Sequence, residues 1–315
     1  MGRHKRPCKS ARRDRQLAIA VVENQVLGTA AFWPAPAKLN LCLHIVGRRP
    51  DGYHLLQSAI QFIDLCDELR FYRRPVGVIE RVAGPEDVPA ESDLVVRAAR
   101  LLAAEAGSEH GSEHGVAIAL TKRIPLQAGL GGGSSDAATV LVALNQLWDT
   151  RFELDRLVSI GLRLGADVPI FVKGQAAWVE GIGEQLTDCD YPERVYLVIK
   201  PQATVSTAEI FNAPELTRHT PVTTIRAFRA QGGRNDCTAC VRGRYSEVGE
   251  ALDWLTYYGD ARLTGTGACV FAAFNDDAAA ERAFAQLPSR WRGFVSHGLN
   301  RSPLMARLDA ERNAV

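Results

Sequence analysis

The sequence predicts an α+β protein built from two units. Three observations lead there: 315 residues suit two domains of ordinary size, 46% hydrophobic residues suffice for two cores, and predicted strands and helices interleave without the strict alternation of a doubly wound sheet. No stretch approaches the roughly 18 to 20 uninterrupted apolar residues of a membrane helix, so a soluble protein is expected.

The first strand is residues 37–46, AKLNLCLHIV, where Leu39, Leu41, Leu43 and Ile45 alternate with Lys38, Asn40, Cys42 and His44. That period of two places Lys38 and Asn40 on one face. GRRPDGYH follows as a turn, since Pro50-Asp51-Gly52 is strong loop chemistry, and LLQSAIQFIDLCDELRFY reads as further strand. A helix is expected over 93–106, starting near Ser92. The tandem duplication GSEHGSEHG at 107–115 reads as a solvated loop, although its Glu and His residues are in principle metal ligands. VAIALTK, at 116–122, alternates as a strand. Beyond the glycines that follow it, Ala137, Val140, Leu141, Leu144, Leu147 and Trp148 recur at helical steps, with one side facing a core. A helix over 154–164 ends at Gly165, and ADVPIFVKGQAAWVEGIGEQL reads as strand and turn. A new unit starts past residue 190 with the strand RVYLVIKP. Helices around 206–212, 246–257 and 277–286, and strands in RLTGTGACVFAAF and RGFVSHGL, complete it. The expected division is a basic tail at 1–28, a first domain at 29–188 and a second at 189–315.

Lys plus Arg number 37 against 36 Asp plus Glu, a balance that argues against nucleic acid or membrane as the main partner. Residues 3–15 are the exception, with seven basic residues against Asp14 alone. They read as a disordered tail or the product of an upstream start codon, with an Arg-rich transit peptide or nucleic-acid arm as alternatives. Seven scattered cysteines suit a reducing cytoplasm rather than a secreted disulfide framework. Cys237 and Cys240 have CxxC spacing, but neither a second pair nor the setting of a redox motif accompanies them.

The densest signal is IPLQAGLGGGSSDAATVLVAL, residues 124–144. A Walker A loop requires a lysine before its last Ser or Thr, and the dinucleotide fingerprint requires a third glycine where Ser134 stands, so neither template fits. Their shared physics does. Glycines let backbone approach an anion and adopt positive φ, and free N–H groups at a helix N-terminus point at it. Ser134 and Ser135 are expected to cap the helix and donate to phosphate oxygens. A glycine-rich cap without a ligand is the alternative. Asp136, in the expected first turn, repels phosphates, so it must either point away or share a cation with them, and magnesium reconciles the two.

Five motifs, PAKLNLCLHIVGRRPDGYH, PLQAGLGGGSSDAA, GADVPIF, IFNAPEL and RLTGTGACVFAAF, come in an order that resembles the GHMP small-molecule kinases, over about Ala35 to Leu304. Within them the chain resembles the branch acting on a cytidine-diphosphate sugar alcohol. The resemblance implies a first domain like domain 2 of ribosomal protein S5, a ferredoxin-like second domain, and an active site between them. It implies an ATP-dependent phosphotransferase that uses Mg2+ and acts on the 2-hydroxyl of a cytidine-diphosphate methylerythritol in the non-mevalonate isoprenoid route, as a monomer or homodimer. Lys38 and Asp167 match the catalytic pair, and Asn40 sits beside the substrate hydroxyls. Tyr53 is implied to stack on the cytosine, His54 to bond its edge and Phe211 to cover its other face. Pro125, Leu126, Gln127, Ala128, Gly129, Leu130, Gly131, Gly132, Gly133, Ser134 and Ser135 match the phosphate loop, with Lys122 near the nucleotide. Gln127 stands where the family usually has glycine, and Asp93 where an asparagine is expected near the adenine.

Taken alone, each residue has a plainer reading. Asp167, between Gly165 and Pro169, is in good helix-capping surroundings, and Lys38 is a solvated strand lysine. Another kinase of the same family, or a non-catalytic RNA-binding protein on an S5-like domain, are the alternatives for the whole chain.

Overall fold

Strand β2 (His54–Arg73) is the spine of the computed structural model, which describes residues 26–29, 31–86, 88–110 and 114–314. The basic tail expected at 1–28 lies almost wholly outside those residues. β2 pairs antiparallel with the whole of β1 (Trp33–Arg48) through His54 to Leu69, with β5 (Ala177–Gly181) through Leu56 to Ile60, and with β4 (Val116–Thr121) through Glu68 to Arg73. β3 (Ile79–Ala83) lies parallel to β4, and β6 (Gln185–Asp188) closes a hairpin on β5. In the second half β10 (Arg292–Leu299) pairs with β7 (Val195–Lys200), which pairs with β9 (Val270–Phe274) beside the short β8 (Arg262–Leu263). Gly298 and Leu299, at the end of β10, reach Ile63 and Phe62 of β2. The two halves thus share one ten-stranded sheet among the described residues.

The alternation read in β1 holds only up to a bulge between Asn40 and Cys42. Lys38 and Asn40 do share a face. That face is not solvated, because Lys38, Asn40, Cys42 and His44 are all buried. β1 is covered on both sides: Leu39 joins a core with Ile124 and Leu130, while Leu43 and Ile45 join the core of the second half.

The first core packs β1 and β2 against α1 (Leu94–His110), α2 (Gly132–Leu147), α3 (Leu154–Leu162) and α4 (Val168–Lys173). Three sequence expectations change here. α1 continues through the first copy of the GSEH duplication, which had read as loop. α2 is buried on every side over residues 135–144, not along one stripe, so it is a central helix. VPIFVK is helical rather than strand. Its β-branched and aromatic residues suit a strand locally, but burial of Val168, Ile170, Phe171 and Val172, with Pro169 in the first turn, overrides that preference. Past β7, α5 (Thr207–Asn212), α8 (Ser246–Thr256) and α9 (Asp277–Phe284) match expectation, whereas α6 (Ile225–Gln231), α7 (Thr238–Arg244) and α10 (Pro303–Asn313) were not foreseen. α10 returns to the first half and buries Leu304 in its core. Among the described residues no helix is long and apolar enough to cross a membrane.

Where the halves join, His297 of β10 bridges Asp64 of β2 at 2.8 Å and Asp277 of α9 at 2.7 Å. Hydrogen bonds to Asp64 and then Asp277 raise its pKa above the ordinary 6.5. The imidazolium therefore stabilises the fold fully below the unfolded value, and this stabilisation is lost as pH rises through the raised folded value. His297→Gln is expected to melt below the parent at about pH 5.5, with the gap closing by about pH 9. Equal gaps at both pH values would show that the charged ring contributes nothing.

Candidate active site

The residues between β4 and α2 form a loop held by backbone from both halves of the chain. Lys38 N–H donates to the Leu130 carbonyl at 3.0 Å, and Cys269 N–H donates to the Ala128 carbonyl at 3.1 Å. Two of its glycines are required by geometry. Gly129 has φ 74°, and a β-carbon there would lie 2.2 Å from the Thr264 carbonyl oxygen. Gly131 has φ 72°, and a β-carbon there would meet the Phe171 ring at 2.7 Å. Gln127 also adopts a left-handed φ, 51°, a conformation that glycine takes without strain.

Gly131 is the N-cap of α2, and no side chain caps the helix. The expectation that Ser134 and Ser135 cap it is therefore corrected: both lie inside the first turn. Ser134 lines the cavity in front of the helix. Ser135, one position further round, is fully buried, and its hydroxyl has no hydrogen-bond partner among the described residues. What faces the cavity is a helix start with bare glycine backbone, which is suited to an anion by its exposed N–H groups and its dipole.

This cavity, about 620 Å³, is walled by loop residues 125–134 together with Lys38, Asn40, Asp167, Phe211 and Thr266. Lys38 is 3% exposed; its ammonium donates to Asn40 Oδ1 at 2.5 Å and lies 3.6 Å from Asp167 Oδ2. Asn40 is fixed in turn. Its side-chain amide donates to Ser58 Oγ at 2.8 Å and its backbone N–H to Thr264 Oγ1 at 3.1 Å. Asp167 occupies the N-cap position of α4 but makes no capping hydrogen bond. Its carboxylate is 45% exposed and faces the cavity and the buried cation instead. A carboxylate held beside an ammonium at the mouth of a cavity is placed to accept a proton from a bound hydroxyl.

Lys122 also lines the cavity. Its ammonium is in contact with Asp67 and lies 2.7 Å from Asp136. Asp136 therefore points away from the loop and contacts Lys122, the first of the two arrangements that the sequence reading allowed.

Models of the GHMP kinases N terminal domain and the GHMP kinases C terminal domain match residues 93–175 and 218–293. A protein of Alkalilimnicola ehrlichii named 4-diphosphocytidyl-2-C-methyl-D-erythritol kinase is 53% identical over 282 residues, covering 90% of this chain and 96% of that protein. The chain belongs to the GHMP kinase family. A crystal structure of a 4-(cytidine 5'-diphospho)-2C-methyl-D-erythritol kinase is 32% identical to this GHMP kinase, with TM-score 0.72 over 84% of the chain and 98% of its own. The mevalonate kinase of Methanococcus jannaschii shares the fold at TM-score 0.60 and 14% identity, over 87% and 99% of the two chains.

In this GHMP kinase the aromatic residues expected around a base are arranged differently from a simple sandwich. Phe211 lines the cavity, and its ring stacks on His54 at 5.0 Å and 29°. Arg218 Nε donates to His54 Nε2 at 3.2 Å, so His54 carries its proton on Nδ1. Burial, then Arg218 and Arg48, lower its pKa. Tyr53 is 60% exposed and outside the cavity wall. Asp93 is engaged by Arg81 at 3.0 Å and accepts the Val95 N–H at 3.1 Å. Cys237 and Cys240 are buried free thiols, and burial pushes Cys237 up to about 12, far from a reactive thiolate. Among the described residues no group of three His, Cys, Asp or Glu side chains is arranged to hold a metal ion.

Sequence reasoning left Thr264 and Thr266 unassigned although both lie in the quoted LTGTG segment. Thr264 ties Asn40 to the Gly129 carbonyl, to which it donates at 3.2 Å, and Thr266 Oγ1 lies 2.9 Å from Thr207 Oγ1 in the cavity wall. Two hydroxyls spaced by glycine next to a strand were the available signal.

Proposed function

We propose that the chain transfers the γ-phosphoryl group of ATP to the 2-hydroxyl of 4-diphosphocytidyl-2-C-methyl-D-erythritol, in the non-mevalonate isoprenoid route. The observation that carries the chemistry is the Lys38 and Asp167 pair at the rim of a cavity walled by the uncapped glycine start of α2. The substrate rests on the name of relatives more than half identical over nine-tenths of the chain.

Phosphoryl transfer passes through a loose transition state, so positioning and charge neutralisation dominate. In this reading the N–H groups of residues 129–134 hold the terminal phosphates. Asp167 takes the proton of the attacking hydroxyl, and Lys38 offsets charge on the substrate oxygen while fixing Asp167. Asn40 orients the acceptor. Asp167, the one carboxylate in the cavity wall among the described residues, is the side chain that would face a magnesium ion accompanying the nucleotide, and such an ion would supply charge neutralisation at the phosphates. The two proposed domains, 29–188 and 189–315, bracket the cavity, with α10 crossing back to the first.

Phe211 supplies an aromatic face for cytosine, His54 a fixed N–H donor for its edge, and Tyr53 an exposed second face. Base stacking of this kind is worth about 1 to 3 kcal/mol, so Tyr53→Ala is expected to raise the KM for the cytidine substrate roughly five- to a hundredfold and that for ATP far less. Equal effects on both would remove Tyr53 from the cytidine site. The proposal as a whole is tested by coupled ADP release with the cytidine-diphosphate substrate beside homoserine and mevalonate. Turnover confined to the cytidine compound supports it; preference for either of the others overturns the substrate.

A further inference from the structure

Beneath the loop, two carboxylates share one ammonium. Asp67, fully buried, contacts Lys122 and also accepts the backbone N–H groups of Arg123 at 2.5 Å and Ile124 at 2.8 Å. Asp136, 3% exposed, has Lys122 on Oδ2, while its Oδ1 is buried with no hydrogen-bond partner among the described residues. Lys122 and Asp67 are the charged groups facing Asp136 from the elements packed around it. With both acids ionised the cluster carries a net negative charge, and Lys122 is the one member of it that lines the cavity.

We infer that Asp136 takes up a proton when ATP occupies the loop, so that nucleotide binding is proton-linked. The inference rests on the loop being the nucleotide site. A polyphosphate arriving next to Lys122 competes with the carboxylates for that cation and raises the energy of the second negative charge behind it. Of the two acids, Asp136 is the one that yields. Asp67 accepts from three donors, whereas Asp136 accepts from one, and its other oxygen meets no donor among the described residues. The proton comes from solvent, adds to the Asp136 carboxyl, where Asp67 can accept it in a hydrogen bond, and leaves one cation and one anion beneath the phosphates. Burial already pushes the Asp136 carboxyl up, to about 8, against the pull of Lys122, and an added anion pushes it further in the same direction.

The bound state therefore holds more protons than the free state, and affinity falls as pH rises through the free-state value. The experiment is titration calorimetry of ATP with saturating Mg2+ and no acceptor, at several pH values from about 7 to 9.5, in buffers of different ionisation enthalpy. Magnesium-bound ATP does not itself titrate in this range. The expected result is net proton uptake at the alkaline end and a Kd rising up to about tenfold, the factor for a one-unit change. Asp136→Asn, which keeps the shape, is expected to abolish both the uptake and the pH dependence of Kd. Binding by the parent protein without buffer-dependent heat overturns the inference and leaves the nucleotide site standing, whatever the variant does. Uptake that persists unchanged in a folded Asp136→Asn protein assigns the proton elsewhere and also overturns it. Absence of any ATP binding defeats the site itself.

Discussion

Asp167→Asn is expected to lower turnover at least about a hundredfold while nucleotide affinity stays close to that of the parent. The substitution keeps the side chain's shape and removes its capacity to accept a proton. It should leave the fold intact, because Asp167 is half-exposed and, among the described residues, makes no capping hydrogen bond and pairs with Lys38 at 3.6 Å. A stability change within about 0.5 kcal/mol is therefore expected. The loss should fall on turnover rather than on the KM for ATP, since the carboxylate meets the acceptor hydroxyl and not the nucleotide. Near-normal turnover would remove Asp167 from the mechanism and return it to a solvated helix start.

Gly129→Ala is expected to be damaging in both stability and activity. Left-handed φ in an alanine costs about 1 to 2 kcal/mol, and forcing atoms into a packed site about 1 to 3 more. The new β-carbon would stand 2.2 Å from the Thr264 carbonyl oxygen and 3.0 Å from that of Gly267, both backbone, so the loop rather than a side chain must move. Thr264 also holds Asn40, which bonds Lys38, so the shift reaches the reacting groups. A displacement of about 1 Å at such a site costs about a hundredfold in rate, and activity should fall by that much even below the lowered Tm. Gly133→Ala is the control. Its nearest neighbour to a new β-carbon is Leu94 Cδ1 at 3.6 Å, so Tm should hold or rise while the KM for ATP increases from crowding of the amides. Parent-like Tm and turnover in Gly129→Ala would show that the close approach of loop and LTGTG segment is not required.

Much of the site was legible because it is written in short local patterns. Lys38 and Asn40 share a face because a period of two survives as far as the bulge at Leu41. The glycines of the loop announce left-handed backbone and an open helix start, and both are present. What the sequence did not disclose depends on partners far along the chain. Burial of the polar face of β1 requires Thr264, 224 residues away, and the second half of the sheet. Asp136 was read as a problem for phosphate binding because nothing local shows that Lys122 and Asp67 converge on it. VPIFVK was misread for the same reason: its helix is imposed by the core around Phe171, not by propensity. α10 and α6 had usable signals, since Ser302 precedes Pro303 and Thr224 precedes an apolar run, and both side chains do cap their helices.

The central claim is that bare main-chain amides at the start of α2 hold the nucleotide's terminal phosphates within reach of Lys38 and Asp167. A crystal structure with a non-hydrolysable ATP analogue and the cytidine-diphosphate acceptor tests it most directly. The expected result is phosphate oxygens within hydrogen-bond distance of the N–H groups of residues 129–134 and the acceptor hydroxyl within that distance of the Asp167 carboxylate. Phosphates bound elsewhere, or an acceptor hydroxyl out of reach of Asp167, would contradict the account.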